Sequence, residues 1–421
     1  MKIEVPQEVE WIIGKIREHG FEAFAVGGCV RDTLLSRTPG DWDITTSAEP
    51  EEIKRIFPRT VDTGLQHGTV TVIKNRKGYE VTTYRIDGEY HDGRHPDSVE
   101  FTKNLTEDLK RRDFTINAMA YSHETGIVDV FGGMDDLKAG IIRCVGSPTE
   151  RFSEDALRIL RAIRFSGQLN FEIEEETLNA VGALAPNLLK VSRERIQTEL
   201  TKLLLSDHPE RLILTENLGI SRYVADGLHE ILTEGERPGE KSEGLLAYPR
   251  CLMGTSSLPA EKSMRWAGFL RFTPPNDVRR FLKGLKLDNE TIGNAKTMAE
   301  GFQTPLPEAK TAIRRMASRM TEYQFEGVLS LKSMEEALPG FPGPKTAAAL
   351  SALWQEILAS GDCLRMKDMA VNGGDLIAAG MKPGKEMGST LEYLFGLVLE
   401  HPEYNQKEFL LDLLKKGGAH G

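Results

Sequence analysis

The sequence predicts an α+β protein in which a head with a small mixed sheet precedes an all-helical remainder. Two observations support this fold class. Short runs of β-branched and aromatic residues, separated by turn signals, fill the first ~145 residues. After Gly146, helical periodicity dominates and prolines interrupt it. Because strands and helices do not alternate regularly in the head, the pattern favours a mixed sheet over a βαβ array.

The individual elements follow from local patterns. A helix is predicted over 49–57, where Pro58 ends it. The turn-like run 75–78 separates the first two of four predicted strands. These strands are 70–73, 79–84, 99–102 and 127–131. Further on, a helix is predicted over 156–165, with Ser153 as its N-cap.

The length of the chain indicates several domains. At ~100–200 residues per domain, 421 residues correspond to two to four domains. The Pro/Gly-rich run 338–344 is typical of a linker. We therefore predict four parts, which are a head over 1–146, a basic helical neck over 147–204, a helical body over 205–340 and a helical tail over 341–421.

Charge and cysteine content exclude some classes of protein. With 53 basic and 63 acidic side chains, the net charge is −10, which disfavours a non-specific nucleic-acid coat but not an RNA enzyme, whose field is local. The four cysteines lie more than 100 positions apart, so no CxxC zinc or redox pair exists. No apolar run approaches the ~20 residues that span a bilayer. We expect a cytoplasmic protein with free thiols and no membrane partner.

Two carboxylates two residues apart are the first candidate for chemistry. On a strand, the spacing of Asp41 and Asp43 puts both on one face, ~6.6 Å apart. Two such anions repel by about 2–3 kcal/mol at an effective dielectric of ~20, so a partly buried pair calls for a cation. Such oxygen ligands suit Mg²⁺, which can activate a hydroxyl and stabilise a departing pyrophosphate. Glu80, in the predicted strand 79–84, is a candidate third carboxylate. The alternative is a solvated strand face.

A pair of glycines precedes these carboxylates along the chain. Gly27 and Gly28 have no side chains, so the backbone can approach a triphosphate there. Arg31, three residues later, would neutralise phosphate oxygens with its forked guanidinium. The alternative for the glycines is an ordinary turn.

A second cluster consists of Arg112, Asp113 and Asn117. Their helical or near-helical offsets would let them converge on one ligand. Arg112 can contact a phosphate or stack on a base, whereas Asp113 and Asn117 can hold ribose hydroxyls. The alternative is a helix cap beside a solvated basic pair.

A third cluster lies at the start of the predicted helix 156–165. Asp155 and Arg158 are three positions apart and would face the same way. Cytosine and adenine both present an amino donor beside a ring-nitrogen acceptor, which an aspartate and an arginine can match, while uracil and guanine present the opposite polarity. Arg161 and Arg164 continue the stripe and could reach phosphates or an RNA backbone. The alternative is an intrahelical Asp–Arg pair.

Together these motifs resemble the class II tRNA nucleotidyltransferase and bacterial poly(A) polymerase family of the polymerase β superfamily. Five motifs occur in the family's order, namely GGCVRDTLL with GDWDITT, RRDFTINAMA, DVFGG, EDALRILRAIRF and SRERIQTEL. The runs 369–376 and 380–384 are similar to the C-terminal RNA-binding region of bacterial CCA-adding enzymes. Residues 205–340 match only loosely.

The resemblance implies a polymerase β-like nucleotidyltransferase head. It implies that Asp41 and Asp43 bind the catalytic Mg²⁺ ions and that Glu80 is a third carboxylate. The residues that it implies for contact with the incoming nucleotide are Gly28, Arg31 and Arg112.

For the neck, the resemblance implies a nucleobase-selecting motif. Asp155 and Arg158 would serve as an amino-acid template for C and A, and Arg161 and Arg164 would support nucleotide binding. It also implies a hinge over 129–133. The polar run 86–97 would be a flexible loop required for the final A, and its glycines and charges fit such a loop.

The implied activity is stepwise addition of C, C and A to the 3′ end of a tRNA, from CTP and ATP, with release of pyrophosphate and dependence on Mg²⁺. The tRNA would be bound by its shape and its phosphates, through the helix 158–164, Lys190, Arg193, Arg195 and the lysines of the tail. The oligomeric state stays open. Alternatives within the family are a poly(A) polymerase or an enzyme that adds only CC or only A. A non-catalytic RNA-binding protein is a further alternative, but binding alone gives no physical reason for the paired carboxylates.

Overall fold

The computed structural model of the protein describes residues 2–88, 99–233, 249–305, 309–341 and 343–417. The chain divides into two compact units. The first comprises Met1–Glu234 with Gly284–Lys286, and the second comprises Gly235–Lys283 with Leu287–Gly421. The division therefore falls within the segment 205–340.

The first unit contains a mixed sheet of seven strands in the order β3-β4-β5-β2-β1-β8-β9, which confirms the predicted sheet. Strands β2 and β5 are parallel, and the other neighbours are antiparallel. Two further pairs, β6 with β7 and β10 with β11, stand apart from this sheet. The strands are β1 Ala23–Val26, β2 Ile44–Thr46, β3 Thr60–Gly64, β4 Thr69–Lys74, β5 Lys77–Thr83, β6 Arg85–Asp87, β7 Val99–Phe101, β8 Met119–Ser122, β9 Gly126–Asp129, β10 Ile141–Ile142 and β11 Glu172–Ile173.

Helices cover the sheet of the first unit and continue beyond it. The α-helices of this part are α1 Gln7–Glu18, α2 Gly28–Leu34, α3 Pro50–Ile56, α4 Leu105–Lys110, α5 Gly133–Ala139, α6 Pro148–Glu154, α7 Leu157–Leu169, α8 Glu175–Leu184, α9 Arg193–Leu204, α10 Leu214–Asn217, α11 Ser221–Val224 and α12 Leu228–Thr233. The 3₁₀ helices are Leu65–His67, Thr115–Asn117, Ala185–Lys190 and Pro209–Ile213. The predicted helices 49–57 and 156–165 correspond to α3 and α7.

The second unit is helical throughout its described residues. Its α-helices are α13 Lys262–Leu270, α14 Pro275–Gly284, α15 Asn289–Gln303, α16 Lys310–Ala317, α17 Glu322–Ala337, α18 Ala347–Ala359, α19 Gly373–Ala378, α20 Lys385–Glu400 and α21 Lys407–Gly417. The 3₁₀ helices are Thr255–Ser257, Met366–Asp368 and Pro402–Tyr404. In the described parts of both units, no helix combines the length and the apolar character that crossing a bilayer would need.

The core of the head lies around β1, whose four residues are all buried. Phe24 and Val26 of this strand pack with Tyr84, Leu109 and other buried side chains in one cluster. A central strand that is buried on both faces has no polar face, so its sequence is a continuous apolar run. Because β1 is the neighbour of β2, this cluster fixes the end of β2 where the first candidate residues lie.

The prediction that Ser153 is the N-cap of the helix 156–165 is wrong, because two helices, α6 and α7, meet near this residue. Helix α6 begins earlier, at Pro148, and Ser153 lies in its last turn. The chain leaves helical geometry at Asp155 (φ −146°, ψ 101°), and α7 begins at Leu157. The Asp155 Oδ1 atom accepts a hydrogen bond from the Leu157 backbone N–H at 3.1 Å. Such local bonding competes with a continuous helix and explains the break.

In the second unit, two apolar clusters hold the helices. One surrounds Phe325 of α17 and Trp354 of α18, whose ring centroids are 4.5 Å apart. The other surrounds Leu376, Leu394 and Leu410 of α19, α20 and α21. These clusters join helices that are distant in sequence, and they give the second unit a core of its own.

Candidate active site

Asp41 and Asp43 lie directly before β2, which begins at Ile44, so the prediction that both lie on a strand is wrong by one to three residues. The pairing of β1 with β2 nevertheless extends to this segment, because the Val26 N–H donates to the Asp43 carbonyl oxygen at 3.0 Å. Trp42, between them, is buried, whereas both aspartates are exposed. This alternation is that of an extended chain, which puts the two carboxylates on the same side.

Glu80 lies on the neighbouring strand at the same level as Asp43. The parallel pairing of β2 and β5 matches Ile44 with Val81, so the preceding residue of each strand follows in register. Burial raises the pKa of Glu80, and the charges of Asp43 and Asp41 raise it further. The structure therefore brings these three carboxylates into electrostatic contact.

The Asp43 carboxylate is under opposing influences. Although it is accessible to solvent, surrounding protein atoms displace much of its water, and this desolvation raises its pKa. The Arg112 guanidinium lowers the pKa of Asp43, whereas Asp41 raises it. Because the net shift is upward, the protein's own cation does not fully compensate the pair. Two accessible carboxylates in that state are a donor set that could hold a hard divalent cation.

The described residues contain no cluster of side chains that would form a complete metal site. Within them, no three or more His, Cys, Asp or Glu side chains are arranged to hold a metal ion. The candidates for metal binding are therefore Asp41 and Asp43, with oxygen atoms of a bound substrate as further ligands.

Gly27 and Arg112 form the other side of the site. Gly27 has a φ of +81°, and a Cβ atom there would lie 2.9 Å from Nη1 of Arg112. Gly28 is the first residue of α2. The Nη2 atom of Arg112 lies 3.6 Å from Asp108 Oδ2, and its buried Nε has no hydrogen-bond partner. The glycine thus leaves room for a guanidinium that acts on Asp43.

The side chain of Arg31, a residue of α2, is buried and is held by contacts within the protein. Its Nε donates to Asp32 Oδ1 at 2.8 Å, and its Nη1 donates to Asn117 Oδ1 at 2.6 Å. The guanidinium also lies over the ring of Phe165, 4.9 Å from the centroid. Arg31 therefore joins α2 to the segment around Asn117 and to α7.

The predicted helical offsets of Arg112, Asp113 and Asn117 are wrong, because α4 ends at Lys110 and Asn117 belongs to the 3₁₀ helix Thr115–Asn117. Asp113 is 8% exposed. Its Oδ1 accepts hydrogen bonds from the Phe114 N–H and from Asn117 Nδ2 at 2.8 and 3.0 Å. The polar atoms expected to hold ribose hydroxyls are thus engaged within the protein.

Asp113 is bound on its other oxygen by Arg161 of α7. Oδ2 accepts from Nε and Nη2 of Arg161 at 2.8 and 2.5 Å. Burial by itself would raise the pKa of Asp113, but Arg161 and the Asn117 hydrogen bond hold it well below its usual range. This ion pair links the head to α7.

Asp155 and Arg158 do not share a helix face, because Asp155 lies at the junction between α6 and α7. Nη2 and Nη1 of Arg195 donate to Asp155 Oδ2 and Oδ1 at 2.6 and 3.2 Å. Arg158 donates to the backbone oxygens of Arg151 and Arg111, both at 3.1 Å, and pairs with Glu154. The intrahelical Asp–Arg alternative is therefore wrong as well.

The predicted basic stripe of α7 is turned inwards at Arg164. This side chain is buried, pairs with Glu199 and donates to Gln168 Oε1 at 2.6 Å. Arg161 is one-third exposed at its side chain, and its Nη1 lies 3.9 Å from Glu199 Oε1. The pattern of arginines at intervals of three does not show that Glu199 lies opposite them.

Sequence reasoning gave no role to Glu199, and it assigned Arg195 only to contacts with the tRNA. Both residues belong to the run SRERIQTEL, which begins at Ser192. An arginine and a glutamate four positions apart on a helix face the same way, and that spacing was the available signal.

The resemblance implied a hinge over 129–133 and a flexible loop over 86–97, and the structure describes all of the first but only part of the second. In 129–133, Asp129 accepts hydrogen bonds from the N–H groups of Gly133 and Met134, both at 2.8 Å, and so connects β9 to α5. Of the proposed loop 86–97, residues 89–97 lie outside the described residues.

Comparisons with known proteins match three parts of the chain to family models. Residues 23–143 match the model of the poly A polymerase head domain. Residues 170–232 match the model of the "Probable RNA and SrmB-binding site of polymerase A", and residues 259–414 match that of tRNA nucleotidyltransferase domain 2.

Similar proteins extend over nearly the whole chain. A CCA-adding enzyme of Limosilactobacillus fermentum is 41% identical over 423 residues, with 98% of each chain covered. One from Streptococcus mutans is 37% identical, with 97% of each chain covered. The crystal structure of the Bacillus stearothermophilus CCA-adding enzyme in complex with CTP is 34% identical, covers 98% of this chain and 97% of that one, and has a TM-score of 0.79. The chain belongs to the family of CCA-adding enzymes.

Proposed function

We propose that this protein adds C, C and A in sequence to the 3′ end of a tRNA, using CTP and ATP and releasing pyrophosphate. The observation that carries the proposal is the accessible pair Asp41 and Asp43 directly before β2, with the Arg112 guanidinium acting on Asp43. Full-length similarity to proteins named CCA-adding enzymes supports the choice of substrate.

Asp41 and Asp43 would hold Mg²⁺, since they offer the charged oxygen ligands that this ion prefers. Bound Mg²⁺ lowers the pKa of an attacking hydroxyl and stabilises negative charge on phosphate oxygens. Glu80 adds negative charge beside the pair, and Arg112 supplies positive charge on the other side. The protein contributes alignment and electrostatics, and no side chain acts as a nucleophile.

The incoming nucleotide would bind where Gly27 and Gly28 leave the backbone open beside Arg112. Arg31 and Asn117 hold each other and thereby keep α2 in place. Asp113 would act on the nucleotide indirectly, because its oxygens bind Asn117 and Arg161. These residues are positioning groups in this proposal.

Base selection would depend on Asp155 and Arg158. Each carboxylate oxygen can accept two hydrogen bonds. Of the bonds to Asp155 Oδ2, the protein supplies one, from Arg195. A cytosine or adenine amino group could therefore still donate to Asp155. Arg158, fixed by two backbone oxygens and by Glu154, would supply the donor for the ring nitrogen.

A second candidate function is poly(A) synthesis, because residues 23–143 match the model of a poly A polymerase head domain. The active-site geometry would be the same, since both reactions join a nucleotide to an RNA 3′-hydroxyl. The two functions differ in the length and composition of the product.

A nucleotide-resolved extension assay tests the proposal. Purified protein is incubated with tRNA lacking CCA, Mg²⁺ and labelled CTP or ATP, and the products are sized. We expect two C additions followed by one A. A long A ladder would indicate a poly(A) polymerase, and products that stop at CC or carry only A would indicate a partial enzyme.

Variants of the carboxylate pair complete this test. Asp41→Asn and Asp43→Asn should abolish extension, because each removes a charged oxygen ligand. Asp62→Asn is the matched control, since Asp62 lies on the outer strand β3 and its ion pair among the described residues is an exposed one with Lys54 at 3.4 Å. Extension by the Asp43→Asn protein at the wild-type rate would contradict the metal-binding role.

We further propose that the enzyme works in the reducing cytosol. All four cysteines are described, and each is free and buried. Burial raises the pKa of Cys29 to about 11 and that of Cys144 to about 12, so these thiols stay protonated and unreactive at neutral pH.

A further inference from the structure

Helix α9 lies behind α7, and one of its faces carries two side chains that hold the base-selecting region. Arg195 and Glu199 are one turn apart on this face. Arg195 binds both oxygens of Asp155, and Glu199 binds Arg164 while lying 3.9 Å from Arg161. Glu199 is 5% exposed, and buried residues of α9 fix the helix in place.

The orientation of the Asp155 carboxylate depends on this contact. The backbone of Asp155 is held at the junction of α6 and α7, because its N–H donates to the Arg151 carbonyl oxygen at 3.3 Å and its own carbonyl oxygen accepts from the Arg158 N–H at 3.0 Å. Among the described residues, the donors to its carboxylate are Arg195 and the Leu157 N–H, the latter at 3.1 Å. One bond to one oxygen leaves the carboxylate free to rotate, whereas a bidentate guanidinium fixes its plane.

We propose that Arg195 is a positioning residue for base selection, and that it acts by fixing the plane of the Asp155 carboxylate. The inference rests on the proposed function and extends it to a residue of α9. An ionised aspartate only accepts hydrogen bonds. It therefore favours the amino groups of cytosine and adenine, and it disfavours the carbonyl oxygens of uracil and guanine. A carboxylate that rotates out of this plane loses this discrimination.

Glu199 completes the arrangement from the same helix. It holds Arg164, which in turn lies against the Phe165 ring at 3.9 Å, and Arg161 and Arg31 lie near the same ring at 5.5 and 4.9 Å. The Phe165 ring therefore lies among three arginines of the head and of α7. A shift of α9 would move Asp155, Arg161 and Arg164 together, because Arg195 and Glu199 contact these three residues.

The test uses Arg195→Gln, which removes the charge and the bidentate fork and keeps a long polar side chain. The ratio of CTP to UTP incorporation is measured on tRNA lacking CCA, together with the KM for tRNA and the midpoint of thermal unfolding. We expect the ratio to fall by about tenfold, the change that one misplaced hydrogen-bonding group produces. The KM for tRNA should stay within a factor of two of the wild-type value, roughly the error of such a measurement.

Arg193→Gln is the matched control. Arg193 lies on the same helix and loses the same charge, but it contacts the Val224 carbonyl oxygen at 2.7 Å and Asp226 at 3.7 Å instead of Asp155. Its CTP-to-UTP ratio should equal that of the wild type. Arg195→Lys keeps the charge without the fork, and its ratio should lie between those of the wild type and Arg195→Gln.

A double-mutant cycle with Asp155→Asn separates positioning from a general structural effect. If Arg195 acts through Asp155, Arg195→Gln should lower the ratio little or not at all in the Asp155→Asn background. Full additivity, or a raised KM for tRNA with an unchanged ratio, would overturn the proposal and indicate an RNA contact.

Equilibrium binding of CTP and UTP keeps the proposal testable where a variant extends tRNA too slowly. The preference for CTP should fall by the same factor in Arg195→Gln, and an unchanged preference would overturn the proposal. A wild-type protein that adds neither C nor A would instead contradict the proposed function.

Discussion

Asp113 and Arg161 form a partly buried ion pair in which both Nε and Nη2 of the arginine donate to one carboxylate oxygen, at 2.8 and 2.5 Å. The pair joins the segment after α4 to helix α7. The other oxygen of Asp113 binds Asn117, which binds Arg31 of α2. The head sheet and the neck helix thus share one chain of hydrogen bonds beside the candidate nucleotide site.

Asp113→Asn should destabilise the protein severely, because it leaves the Arg161 charge partly buried without its closest anion. Breaking such a pair costs about 3 kcal/mol, which lowers the thermal midpoint of a unit of this size by about 6–12 °C. The exposed pair of Asp62 with Lys54 provides the control, since Asp62→Asn should change the midpoint by about 1 °C at most. A shift for Asp113→Asn as small as the control's would show that the pair is not stabilising.

The same pair predicts a pH dependence of stability. Because the folded-state pKa of Asp113 is depressed, its contribution is present above the ordinary aspartate pKa of about 3.9 and is lost as the pH falls through the depressed value. In acid titrations followed by circular dichroism, the wild type should lose stability more steeply than Asp113→Asn does below a pH of about 4, which is near the ordinary aspartate pKa. Parallel curves would contradict the depressed pKa.

Asp43→Asn should stabilise the metal-free protein at pH 7 while abolishing activity. The pKa of Asp43 is raised, so its contribution is present below the ordinary pKa and is lost as the pH rises through the raised value, which leaves a destabilising charge at neutral pH. In EDTA, the thermal midpoint of Asp43→Asn should exceed that of the wild type. Adding Mg²⁺ should raise the midpoint of the wild type more than that of the variant. The opposite order in EDTA would show that Asp43 is not under repulsion.

Gly27→Ala should lose activity beyond what its loss of stability explains. Gly27 combines a φ of +81° with a ψ of −129°, which costs an alanine about 1–3 kcal/mol, and the new Cβ would also lie 2.9 Å from Arg112 Nη1. Gly126→Ala is the control for a positive φ, because Gly126 has a φ of +77° without such a contact. Both variants should lose stability in thermal unfolding, and only Gly27→Ala should fail in tRNA extension. Equal activity of the two would remove the role of Arg112 beside the glycine.

Arg271→Lys should destabilise the second unit by about 3 kcal/mol, because a lysine cannot replace a buried fork. Arg271 is fully buried, and its Nε donates to Glu335 Oε2 at 2.9 Å. Its Nη1 donates to the carbonyl oxygens of Cys251 and Gly268 at 2.8 and 2.7 Å. Arg280→Lys, at a side chain 81% exposed, should leave the unfolding curve unchanged. The comparison requires only thermal unfolding of the two variants.

Local pattern predicted much of the fold. The β-branched runs 70–73 and 79–84 became the hairpin of β4 and β5, because alternation and turn residues act within a few positions. Strands β1 and β8 were not predicted. All four residues of each strand are buried, and apart from Ser122 at the end of β8 the two runs show no polar face, a pattern that a helix can show equally well.

The sequence by itself determined the order of the elements, the change from mixed sheet to helices, and the spacing of Asp41 and Asp43, since each of these is written in neighbouring residues. Only the tertiary structure decided which distant side chains meet. Asp155 binds Arg195 from 40 positions away, and Asp113 binds Arg161 from 48. A helical period predicts neighbours on one helix but not those on the next, because packing between elements sets the latter. For that reason the arginines of α7 read as an exposed stripe in the sequence and pair with buried carboxylates in the folded chain.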